Sequence, residues 1–117
     1  MARIVNQTKG TVVAEQVGLA HTFWSRFRGL MLRGSLPQNS GLLIEPSGSI
    51  HTAFMRFPID AVFLTRDHQV VKVARVVKPW RAAVSRGYGV LELPAGRAAD
   101  VGLTEGDRLV VETQAQE

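Results

Sequence analysis

Only one stretch of this chain carries helical periodicity, and the remainder breaks into short β-prone runs separated by turn residues. Thr22 is a predicted N-cap. On a helical wheel Phe23, Trp24, Phe27, Leu30 and Met31 fall within an arc of about 120°, with Arg26, Arg28 and Arg33 outside it and Gly34 placed to stop the helix. One amphipathic helix at about 22–33, docked on a sheet, is the expectation. Elsewhere the pattern is that of strands: 3–6 and 11–17 as a first hairpin, 41–45, 49–54, 60–65 and 69–77 as a second hairpin around Arg66-Asp67-His68, then 88–93 and 108–112. A loop is expected from Pro79-Trp80 to Gly87, and a short second helix at about 95–101.

Strands of this length at this spacing, without long helices alternating between them, argue against a doubly wound parallel sheet. They predict a mainly β (α+β) fold: a compact, partly closed antiparallel β-barrel with the helix on one side. With 117 residues there is room for a single domain over 1–117. No repeat, linker or low-complexity stretch divides it.

The absence of cysteine excludes disulfides, thiolate zinc sites, iron–sulfur clusters and a cysteine nucleophile. Unbroken apolar runs such as Ala61-Val62-Phe63-Leu64 fall far short of the roughly 20 residues that span a bilayer. The first twenty residues carry Arg3, Lys9 and Glu15 without a signal-like apolar stretch, so the cytoplasm is the expected compartment and no membrane partner is expected. The net charge of +4 conceals a division. Residues 1–91 hold twelve Lys/Arg against four Asp/Glu, hence +8, whereas residues 92–117 hold two against six, hence −4.

Strand alternation points to three charges on apolar faces. Arg75 shares a face with Val71, Val73 and Val77, and Asp60 shares one with Val62 and Leu64. Glu92 lies between Leu91 and Leu93 and shares its face with Tyr88 and Val90. An unpaired charge brought towards a core costs several kcal/mol, so each needs a partner. One reading is structural: an ion pair such as Arg75–Asp60, or strand ends that reach water. The other is functional: these charges line a concave ligand-binding end of the barrel.

Five motifs in order carry a family resemblance: Gly29-Leu30-Met31-Leu32-Arg33; Gly41-Leu42-Leu43-Ile44; His51 through Asp60; Val90 through Gly96; and Gly102 through Asp107. Together, from about Val12 to Val111, the chain resembles the bacterial and archaeal family catalogued as domain of unknown function 192. The resemblance implies a small single-domain protein, in a family with many exported members, built as a β-rich barrel with flanking helices. It implies no particular activity. The family's aromatic-Met-Lys motif stands here as Phe54-Met55-Arg56, and the glycine usual after the hairpin aspartate is His68 after Asp67. A non-glycine residue at that position predicts a different turn type.

The richest chemistry lies in Ser49 through Arg56. His51 titrates near neutrality, Thr52 offers a hydroxyl, and Arg56 can bind a carboxylate or phosphate bidentately. A lone histidine near an apolar face is more often structural. No metal site is expected, because His21, His51 and His68 are isolated and no carboxylates cluster beside them. No nucleophile elbow or phosphate loop is present, so neither a cofactor nor a catalytic constellation is predicted. The set His51, Thr52, Arg56, Asp60, Arg75 and Glu92 is therefore read as a candidate site for a small, anionic ligand. The alternative is an interaction domain that docks a protein or single-stranded nucleic acid through the basic segment from Lys72 to Arg86. There Trp80 and Tyr88 are interleaved with five basic residues, and no acidic residue occurs between His68 and Leu91.

Overall fold

The computed structural model describes residues 2–20, 37–47, 49–51 and 57–113. Among the described residues there are nine strands: β1 (Ala2–Asn6), β2 (Thr11–Ala20), β3 (Ser40–Ile44), β4 (Ser49–His51), β5 (Ile59–Leu64), β6 (Val70–Val77), β7 (Ala82–Val84), β8 (Gly89–Pro94) and β9 (Leu109–Thr113). A single helical turn, α1 (Arg97–Asp100), follows β8 within the range the sequence predicts. The predicted helix at about 22–33 lies outside the described residues.

Seven strands form one curled sheet in the order β6-β5-β8-β3-β2-β1-β9, and β4 pairs with β7 as a separate two-stranded ribbon. Five of the six pairs in the large sheet are antiparallel; β2 and β3 run parallel, Gln16 opposite Ser40 and Ala20 opposite Ile44. The two edge strands meet at one corner. Gln69 bridges Arg108, the amides of Val70 and Leu109 donate to the carbonyls of Asp107 and His68, and the Gly106 amide donates to Val70. The fold is thus a half-barrel fastened at one corner, in agreement with the mainly β, partly closed barrel expected.

The two sheet faces bury different cores. The inner face collects residues from all seven strands, among them Ile4, Val13, Leu43, Val62, Leu91, Leu93 and Leu109, and α1 seals it with Ala98 beside Leu103. The outer face carries a smaller cluster, Ile59, Ala61, Phe63 and Val90, against which Phe57 and Ala83 pack. Ala83 belongs to β7, so the β4–β7 ribbon lies over this outer face. Double coverage explains why every residue of β5 and β8 is buried. Antiparallel strands open to water on one side would alternate instead.

β7 falls where the sequence predicts a loop. Its three residues include only one that is not exposed, Ala83, so no alternating pattern marks it. The hairpin turn does adopt the conformation that a glycine would favour: His68 has φ 67°. Its amide donates to the Thr65 carbonyl, and the Gln69 amide donates to the Thr65 hydroxyl, which holds the turn closed around the bulkier residue.

Candidate functional site

Asp60, in β5, faces the inner core and is fully buried. Its neighbourhood is shaped by a bulge in β6: Ile59 pairs with Val77 but Ala61 with Ala74, so two residues of β6 oppose one of β5. The bulge places Val76 at φ 50° and turns its amide from the ladder towards the Asp60 carboxylate, 2.8 Å away. The other carboxylate oxygen accepts the amides of Gly96 at 3.1 Å and Ala98 at 2.9 Å. Those are amides at the start of α1, whose N-cap is Gly96, a residue without a side chain to cap it. One buried carboxylate therefore fixes a strand bulge and caps a helix from a different part of the chain.

Arg75 occupies the bulge and points to the same side as Asp60, yet the two do not pair. The Arg75 guanidinium donates to the Leu103 carbonyl at 3.0 Å. The expected Arg75–Asp60 ion pair is replaced by backbone partners on each side. The reason is geometric: the bulge supplies a free amide closer to the carboxylate than the guanidinium.

Glu92 faces the other way. In β8, Leu91 and Leu93 belong to the inner core and Val90 to the outer one, so alternation sets Glu92 on the outer face. Across the strands it lies abreast of Leu42 in β3 and Ala61 in β5, and Ala61 lies abreast of Ala74 in β6. Only 5% of its surface meets solvent, and no described residue offers its carboxyl a hydrogen bond. Burial in these apolar surroundings pushes its pKa up to about 7. Lys72 shares the outer face but points elsewhere, its ammonium 5.9 Å from the Phe63 ring centre and bonded to the Val84 carbonyl at 3.0 Å.

The other residues of the sequence-derived set come from the ribbon side. His51 closes β4, with its backbone paired to Ala82 of β7. Thr52 and Arg56 lie outside the described residues. Asp60 and Arg75 are thus brought to the inner face and Glu92 to the outer one, and β4 pairs with β7, whose Ala83 packs on that outer face.

Two polar clusters lie outside the sequence-derived site, although the turn from Gly102 to Asp107 is one of the five motifs and Asp107 there accepts the Thr104 amide. Glu45, at the end of β3, meets His68 with 3.2 Å between carboxylate and ring nitrogen, both largely buried. Its chain lies over Gly89, where a Cβ would come within 2.7 Å of the Glu45 Cγ. The only sequence signal was the histidine in a turn position that favours glycine. Near the corner where β6 meets β9, Lys9 reaches Asp107 at 2.9 Å, as well as Thr104 and the Gly102 carbonyl. Burial alone would raise the Asp107 pKa; hydrogen bonds from Lys9, the Thr104 amide and Asn6 outweigh it and hold the carboxyl below its ordinary value. Among the described residues no group of three or more His, Asp or Glu could hold a metal ion, and no helix is long and apolar enough to cross a membrane.

Residues 4–111 match the DUF192 family, described as an uncharacterized ACR. The chain belongs to the DUF192 family. Sequence relatives include a UPF0127 protein of Thermococcus sibiricus, 36% identical over 121 residues, covering 97% of this chain and 77% of the relative. Another is a UPF0127 protein of Pyrococcus furiosus, 34% identical over 113 residues, covering 91% and 95%. Among solved structures, a protein of unknown function from Novosphingobium aromaticivorans superposes with TM-score 0.80 at 25% identity, covering 94% of this chain and 84% of that one. A putative transcription regulator from Sinorhizobium meliloti gives TM-score 0.81 at 26% identity, covering 94% and 91%. DUF192 membership accounts for the order of the five motifs, and two of these motifs supply Asp60 and Glu92.

Proposed function

We propose that this DUF192 domain is a small-ligand-binding module whose site is the outer sheet face at Glu92, beneath the β4–β7 ribbon. The observation that carries the reading is the Glu92 carboxyl, on a residue only 5% exposed, with no hydrogen bond from a described residue and with its pKa pushed up to about 7 by burial. Buried polar groups in folded proteins are nearly always satisfied, and one left open costs roughly 1–3 kcal/mol. A ligand that bonds to this carboxyl recovers that cost on binding. It carries a hydrogen-bond donor for the ionised form or an acceptor oxygen for the protonated one, and both forms are populated near neutrality because the pKa is about 7. His51, Thr52 and Arg56 enter the reading from the sequence alone, Arg56 as a group suited to an anionic part of the ligand. Asp60 and Arg75 fall outside it, since their polar atoms serve the inner face.

Thermal-shift measurements on the full chain test the reading, with panels of small amines, amides, polyols and carboxylates. A binder is expected to raise the Tm of the parent protein and to lose that effect in Glu92→Leu. Equal shifts in the two proteins, or no shift from any class, would count against the site.

A further inference from the structure

We infer that the excursion from β6 through β7 is a docking strip for single-stranded nucleic acid, with Trp80 stacking on a base and the surrounding basic side chains following the phosphates. The inference is independent of the Glu92 site. Four large hydrophobic residues are notably exposed among the described residues, and three of them fall in this one excursion: Val76 at 48%, Trp80 at 61% and Val84 at 67%. Isolated exposed apolar residues need no explanation, whereas three within residues 76–84 concentrate exposed apolar surface on one segment of the chain.

The backbone holds that cluster out. Val76 and Trp80 both have positive φ, 50° and 64°, in a region that costs non-glycine residues energy, most of all a β-branched valine. The Asp60 carboxylate fastens the first of these positions. Lys72 bonds to the Val84 carbonyl, so β7 returns alongside β6 and the strip is doubled back on itself. From Lys72 to Val77 the strand extends about 16 Å at the usual rise of roughly 3.3 Å per residue. Trp80 stands in the connection at the far end.

Charge selects the partner. Lys72, Lys78, Arg81 and Arg86 are all exposed along this excursion, and no acidic residue interrupts the sequence from 69 to 91. Arg81 donates from one guanidinium nitrogen to the Trp80 backbone carbonyl at 3.3 Å, so a positive charge adjoins the Trp80 backbone. Arg75 takes no part, because it bonds to Leu103 on the inner side. The exposed acids Asp100 and Glu105 lie in and just after α1, which seals that inner side. A polyanion with flat aromatic faces fits both halves of this surface, since phosphates follow a basic track and bases stack on exposed aromatics. An acidic peptide or an anionic membrane meets the charge without requiring stacking on the indole.

Fluorescence anisotropy of the full chain with a labelled twelve-nucleotide oligo-dT distinguishes these partners. Binding is expected at low salt, with affinity falling linearly in log salt at a slope of about −2 to −3 if three or four phosphates are neutralised. Trp80→Ala is expected to weaken binding about tenfold while Trp80→Phe retains most of it. Arg86→Ala should make the slope shallower by about 0.7. The inference is overturned by any of three results: no binding at low salt, oligo-dT binding unchanged in Trp80→Ala, or equal affinity for poly-glutamate or phosphatidylserine vesicles.

Discussion

Asp60 and Glu92 sit on adjacent paired strands, one residue apart in register, and both are buried, yet they face opposite sides of the sheet and meet opposite surroundings. Asp60 accepts three backbone amides on the inner face; Glu92 has no described partner on the outer one. Burial by itself therefore does not say what a carboxylate is for. The decisive question is where its hydrogen bonds go. Asp60 holds together a bulge and a helix start, whereas Glu92 has its pKa raised by burial alone, and in the proposed reading a bound ligand meets its carboxyl.

The sharpest way to break this contrast is to remove each carboxylate and compare stabilities by chemical denaturation. Asp60→Ala leaves three amides without their acceptor and is expected to lose about 3–5 kcal/mol, since hydrogen bonds to charged groups contribute roughly 1.5–3 kcal/mol each and do not add fully. Glu92→Leu removes a carboxyl that burial disfavours in its charged form and should be neutral or stabilising by about 1–3 kcal/mol above neutral pH. Should both variants fall by similar amounts, the contrast fails.

Acidity separates the two faces next. The Glu92 pKa is raised from 4.5 to about 7, so the folded state binds this proton more tightly than the unfolded chain does. The associated stability is fully present below about pH 4.5 and is lost as pH rises through about 7, a total of about 3 kcal/mol. The difference between parent and Glu92→Leu stability is expected to follow that curve. Asp107 behaves in the opposite sense: its pKa is lowered, so its contribution is present above its ordinary value and lost as pH falls through the lower folded one. Lys9→Met should remove part of that acid-side dependence and cost about 1–2 kcal/mol near neutrality.

The smallest effect is expected at the hairpin turn. His68→Gly gives up the partner of Glu45 but relieves a positive φ, and the two changes should leave stability within about 1 kcal/mol of the parent. Thermal denaturation near neutral pH checks it. A much larger loss would assign the Glu45–His68 pair a structural weight comparable to that of Asp60.

What was legible in the sequence followed local periodicity. Alternation placed most strands and marked Asp60, Arg75 and Glu92 as charges on apolar faces, and the Gly96 region gave the short helix. The partners of those charges were not legible, because they depend on contacts made far along the chain. Val76 is an unlikely residue for positive φ, so nothing local announced the bulge that turns its amide to Asp60 and leaves Arg75 to Leu103. The parallel pairing of β2 with β3 likewise joins segments separated by residues 21–39 and has no local signature. β7 is three residues long and mostly exposed, too short for alternation to reveal. Thr52 and Arg56, whose placement bears on the ligand, lie outside the described residues.

The central claim, that Glu92 is kept at the expense of stability rather than for it, is tested most directly by urea denaturation of the parent and Glu92→Leu at pH 8 and pH 5. The account predicts a variant at least as stable as the parent at pH 8, with the advantage shrinking by about 2 kcal/mol or more at pH 5. A variant that is less stable at pH 8, with a deficit independent of pH, would contradict it and place Glu92 beside Asp60 as a structural carboxylate.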